Sequence, residues 1–158
     1  MSGLSRRAWL GLTGGLLLTQ RHAAADGVRL WLITAKSNGL SDLSLADLRS
    51  AYRGKKVSAG GVKLIPFNHP VGTPDRVAFD RIVLGMSPEE IGRFWVDQRI
   101  RGGEAPPRTI DSVNLLVRVV GALPGALAYV REGFSSPELK VLSLEGRKPE
   151  DPHYPLVY

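Results

Sequence analysis

The sequence predicts one α/β domain, a mixed sheet with helices packed on it. Short β-branched and aromatic runs alternate with apolar stripes at helical spacing, and the connections between them are short and rich in Gly, Pro, Ser and Thr. Beyond the first 25 residues, roughly 130 remain, enough for one hydrophobic core and too few for two ordinary domains.

Val28 to Ala35 (VRLWLITA) reads as a buried strand that leaves through Lys36-Ser37-Asn38-Gly39. Ser44 followed by Asp47 has capping-box spacing, and Leu45, Leu48 and Tyr52 share one helix face before Gly54. Lys55 to Gly61 is a basic, glycine-containing loop, which the spacing assigns to solvent. Val62 to Phe67 is a second strand, ended by Pro70 and Gly72. Thr73 is an N-cap, Pro74 fits the first helical position, and Phe79, Ile82, Val83 and Met86 recur at helical spacing up to Gly85. Ser87-Pro88-Glu89-Glu90 starts a third helix with Ile91, Phe94 and Trp95 on its apolar face, running to about Arg99. Arg101 to Arg108 holds two Gly and two Pro and is a loop. Asp111-Ser112 precede a helix with Val113, Leu116, Val117 and Val120 inward, closed by Leu123-Pro124-Gly125. Ala126 to Val130 and Lys140 to Leu144 are strands. From Glu145 the tail is irregular, unless Tyr154 to Tyr158 docks on the body. The expected core is Leu30, Leu32, Leu48, Leu64, Phe79, Ile82, Phe94, Trp95, Leu116, Val117, Leu127 and Tyr129.

Residues 1–25 read as a removable signal peptide of the twin-arginine type. Arg6-Arg7 precede the apolar stretch Ala8 to Leu18, no acid is present, and Ala23-Ala24-Ala25 offers a cleavage site. About 11 apolar residues fall short of the roughly 20 that span a bilayer, so no stable membrane span is expected after cleavage. The working part is residues 26–158, expected in the periplasm. Cleavage removes three Arg and no acid, which lowers the net charge from +6 to +3. A small excess scattered among acids argues against nucleic acid as a partner. With no Cys there is neither a disulfide nor a thiol nucleophile.

The stretch Asn68 to Arg76 joins a strand to a helix, and a helix start presents unpaired amides and a partial positive charge. Gly72, Thr73 and Arg76, the last taken as exposed in the first turn, are therefore candidates to hold an oxyanion. The residues alone leave plain capping by Thr73 as the other reading. Ser112 is a second candidate, although Asp111 beside it satisfies the amides itself and repels an anion, which favours capping. His69 and His153 lack metal-ligand or acid-base spacing, and no nucleophile turn is present. No catalytic residue, metal or cofactor is expected, and the chain reads as a non-enzyme.

Leu43 to Leu48 (LSLADL) with Tyr52-Arg53-Gly54-Lys55, then Gly72 to Phe79 (GTPDRVAF), then Pro124 to Val130 (PGALAYV), resembles the phosphate ABC-transporter substrate-binding proteins. The likeness is to their small single-lobe relatives with a PBP-like domain. It covers roughly Val28 to Leu144. It implies one lobe of the type II periplasmic-binding fold, with phosphate or a similar oxyanion held weakly at Gly72 and Thr73, near Arg76. It also implies an accessory role to an ABC transport system. Full-length phosphate binders carry an Arg and an Asp ahead of Ser-Gly-Thr in this loop, whereas Phe67 to Thr73 here reads FNHPVGT. The alternative is a protein-interaction module of the cell envelope, in which a partner or a second copy covers the face that a second lobe would meet.

Overall fold

The computed structural model describes residues 27–158, and the expected signal peptide lies outside them. The central sheet has five strands in the order β6-β5-β7-β1-β8. They are β1 (Leu30–Ala35), β5 (Ile65–Asn68), β6 (Arg108–Thr109), β7 (Ala126–Arg131) and β8 (Leu139–Val141). β5 runs parallel to β6 and β7, while β1 is antiparallel to β7 and β8. The sheet is mixed, as expected.

Both faces of this sheet are covered, and the strand period of two decides what goes where. Leu30 and Leu32 of β1 and Leu127 and Tyr129 of β7 face a core built with α1 (Leu45–Tyr52), α2 (Pro74–Phe79) and the C-terminal tail. Ile33, Ala126, Ala128 and Val130 face the other way, onto Leu116, Val117 and Val120 of α4 (Val113–Ala122). Tyr52, Phe79 and Tyr129 form an aromatic cluster in the first core, with Phe79 stacked on Tyr129 at 3.9 Å.

The second expected strand is two. β3 (Ser58–Ala59), within the basic loop, forms a hairpin with β4 (Val62–Lys63), the first part of the expected strand, turned at Gly60 and Gly61, which both have positive φ. β5 begins after Leu64. The helix from Pro74 also differs from a plain 3.6 pattern, because Asp80–Leu84 is a π-helical turn that ends at Gly85. The wider turn shifts the inward phase by about one residue. Val83 and Leu84 are therefore buried, and Ile82 is only partly so.

α3 (Pro88–Ile100) starts with the expected capping box between Ser87 and Glu90. Phe94 and Trp95, however, are half-buried rather than core, and Ile91 is the buried residue of the helix. α3 skirts the domain instead of lying on a sheet face. Trp95 packs over Gly54, where an added Cβ would stand 3.2 Å from its ring.

The last expected strand divides into β8 and β9 (Ser143–Leu144), the latter parallel to β2 (Asp42–Leu43). The tail docks. Leu30 N donates to Leu156 O and Val28 N to Tyr158 O, both at 2.9 Å, and Leu156 is fully buried.

Candidate functional site

Because β5 and β7 are parallel, their carboxyl ends open on the same edge of the sheet, the place where α/β folds gather ligand groups. A cleft of about 560 Å³ lies there. The loop after β5 and the start of α2 supply His69, Pro70, Thr73, Pro74 and Asp75. The start of α4 supplies Asp111 and Val113, and the end of β7 with its following turn supplies Val130 to Phe134. The two helix starts singled out from sequence thus meet at one cleft.

Gly72 has φ +86°, with open space around it, so its backbone rather than its size makes it glycine. Thr73 sits at the N-cap, but its hydroxyl makes no cap hydrogen bond. It donates instead to Pro70 O at 2.9 Å, closing the turn Pro70 to Thr73. The capping reading of Thr73 is corrected accordingly: Pro74 carries no N–H, and the amides of Asp75 and Arg76 after it have no side-chain cap. Ser112 does cap, accepting from Leu115 N at 3.4 Å.

Arg76 is 5% exposed, so its expected place on the surface is corrected too. Its Nε donates to Asp80 Oδ2 at 2.6 Å and its Nη1 to His69 O at 3.0 Å. It shares the inward stripe of Phe79 and Val83, three and seven residues on. The signal in the sequence was Asp80 four residues later, the spacing of a helical ion pair. Burial raises the Asp80 carboxyl above its ordinary range, against the opposing pull of Arg76.

His69 is buried at the cleft wall with Nε2 2.7 Å from Tyr129 O, so that nitrogen carries the ring hydrogen. Tyr129 donates its hydroxyl to Asn68 Oδ1 at 2.6 Å, and burial pushes its pKa far up. Tyr129 therefore keeps its proton at neutral pH. Among the described residues, no three His, Cys, Asp or Glu side chains cluster to hold a metal, and no helix is long and apolar enough to cross a membrane.

Sequence reasoning missed Arg131. It ends β7, and its Nε donates to Asp75 Oδ1 at 2.7 Å. Tyr158 donates to the same carboxylate oxygen at 2.6 Å and accepts from Arg131 Nη2 at 3.1 Å. Asp75 holds Arg131 above its ordinary pKa, chiefly through that hydrogen bond. Glu132 stands 3.8 Å from Arg29. The cleft therefore presents the carboxylates Asp75, Asp111 and Glu132 with one guanidinium, over walls of Pro70, Val113, Val130 and Phe134. Alternation along β7 was the available signal, since it places Arg131 just past the buried run.

Three solved structures share this architecture. An ABC-type phosphate transport receptor from Vibrio cholerae superposes with a TM-score of 0.61 at 15% identity, over 77% of this chain and 48% of that one. A protein from Clostridium perfringens, assigned as a phosphate ABC transporter substrate-binding protein and solved with bound phosphate, gives 0.64 at 18%, over 82% and 52%. PstS from Borrelia burgdorferi gives 0.62 at 14%, over 82% and 54%. The fold is that of one substrate-binding-receptor lobe. The chain spans about half the length of the phosphate receptors it matches. No family model and no curated protein sequence matches it.

Proposed function

We propose that the chain is a non-enzymatic receptor lobe that works in the periplasm after export, holds a phosphate-like oxyanion weakly, and serves a transport system as an accessory. The observation that supports this reading is the convergence of two helix starts on one cleft, through Thr73 to Asp75 and through Asp111 and Val113, in a fold shared with phosphate receptors; Gly72 and Ser112 stand beside these residues in sequence but do not line the cleft. The amides of Asp75 and Arg76, just past the Gly72-Thr73 turn, are the anion-facing groups, because Thr73 N already donates to Pro70 O and Pro74 has no N–H. Arg76 acts from below, holding the His69 carbonyl and the helix in place. Affinity is low for two reasons. An open cleft leaves the anion hydrated, which attenuates every charge contact. Asp111 and Glu132 also repel it.

A second reading is favoured by those same carboxylates: a protein-interaction module of the envelope, in which the cleft receives no anion. Thermal melting separates the two. A ligand at ten times its dissociation constant stabilises the native state by about 1.4 kcal/mol, which for a domain of this size is a shift of a few degrees. Phosphate or sulfate should raise the melting temperature above chloride at matched ionic strength, and Asp111→Asn should enlarge the difference by removing an exposed repelling charge. Identical curves in all three salts, unchanged in that variant, would transfer the assignment to the interaction module.

A further inference from the structure

On the far side of α3 lies a feature that the cleft does not use. Ile100 is 78% exposed and Val96 60%, and they stand one turn apart on the face opposite the buried Ile91. The charges along the same side of the helix include Glu89, Arg93, Asp97 and Arg101, spaced four apart and all exposed, while the exposed Glu90 beside them is taken up by the Ser87 amide. Their order is self-complementary about position 95. Arg93 and Asp97 are equidistant from it with opposite sign, and so are Glu89 and Arg101.

Gly92 supplies an independent observation. A glycine inside a helix is unfavourable relative to alanine, yet a Cβ at Gly92 would meet nothing within 4 Å. Its φ is not in the left-handed region, so the chain's own fold does not require glycine there. Gly92 is one turn before Val96, where a missing side chain lets another helix come close.

We propose that α3 is a self-association surface, and that its occupant is α3 of a second copy of this chain, antiparallel across a two-fold axis. In that arrangement Arg93 stands opposite Asp97 of the second copy and Glu89 opposite Arg101, each pair occurring twice. Val96 leaves water next to the axis and Ile100 leaves water toward each end of the contact, and Gly92 sets the close approach. The existing Asp97 to Arg101 contact at 3.0 Å joins two exposed side chains, so little is lost on exchanging partners. One 13-residue helix face is small for an interface, so the dimer is weak and concentration-dependent. The inference goes beyond the anion reading and stands or falls separately from it.

Sedimentation equilibrium of residues 26–158 over a range of concentrations is the test, with circular dichroism to confirm folding. The wild type should show a reversible monomer-dimer equilibrium. Arg93→Asp and Asp97→Arg should each raise the dimer dissociation constant by at least about tenfold, and the double exchange should restore it. Gly92→Gln should weaken the dimer while raising the melting temperature of the monomer, an effect opposite to general damage. A wild type that stays monomeric throughout would overturn the proposal. So would a dimer indifferent to the single charge reversals.

Discussion

Arg76 and Asp80 lie one helical turn apart with both side chains about 95% buried, and each makes the other tolerable. A buried charge stripped of its partner is costly, so Arg76→Ala should lower stability by about 3–5 kcal/mol at neutral pH. The pH dependence has a definite sign. Burial raises the Asp80 pKa in the folded state, so proton uptake there favours folding, and stability falls as pH rises from the unfolded pKa through the folded one. The deficit of Arg76→Ala should therefore shrink as the solution is acidified through the carboxylate range. Urea unfolding at neutral and acidic pH measures both quantities, and a deficit that grows on acidification would contradict this account. Thr73 shows the same dependence on surroundings in milder form. Its type and position match an N-cap, but the Pro70 carbonyl lies within reach of its hydroxyl and takes the hydrogen bond.

At the scale of elements, the serine caps did what local chemistry asks of them. Ser44, Ser87 and Ser112 each accept from an amide of the first turn, because a cap needs only neighbours in sequence. Gly125 differs in that its requirement comes from a distant strand. It links α4 to β7 with φ +87°, and a Cβ there would lie 2.2 Å from Lys63 O. Both the left-handed backbone and the carbonyl of β4 exclude a side chain. Gly125→Ala should cost about 2 kcal/mol or more, read as a lower denaturant midpoint. Gly72→Ala is the comparison. It meets no neighbour, so only the backbone term applies and the loss should be smaller.

At the scale of the whole molecule, the C-terminal tail completes both the core and the cleft. Tyr154 and Leu156 are buried in the larger cluster, and Tyr158 joins Asp75 and Arg131 at the cleft rim. Deleting residues 154–158 removes the burial of two large apolar side chains, worth about 1.5–3 kcal/mol each, and frees Arg131 and Asp75 as well. The truncated chain should lose about 3 kcal/mol or more of stability and expose its aromatic core to quenchers of tyrosine fluorescence. Unchanged melting would show that the tail is dispensable. Tyr158→Phe, which keeps the packing, should cost far less.

The sequence by itself determined what depends on near neighbours. The α/β alternation, the positions of the four α-helices among the described residues and three of their four caps were legible, because periodicity and capping act over a few residues. Both helix starts were legible as candidate anion sites for the same reason. Only the tertiary structure decided that these two starts share one cleft, since that depends on β5 and β7 being neighbours 61 residues apart. It also decided that Arg76 is spent inside and Arg131 stands at the rim. An arginine's role follows from which carboxylate the fold brings within hydrogen-bond reach, and a linear pattern reports spacing along the chain, not distance across it.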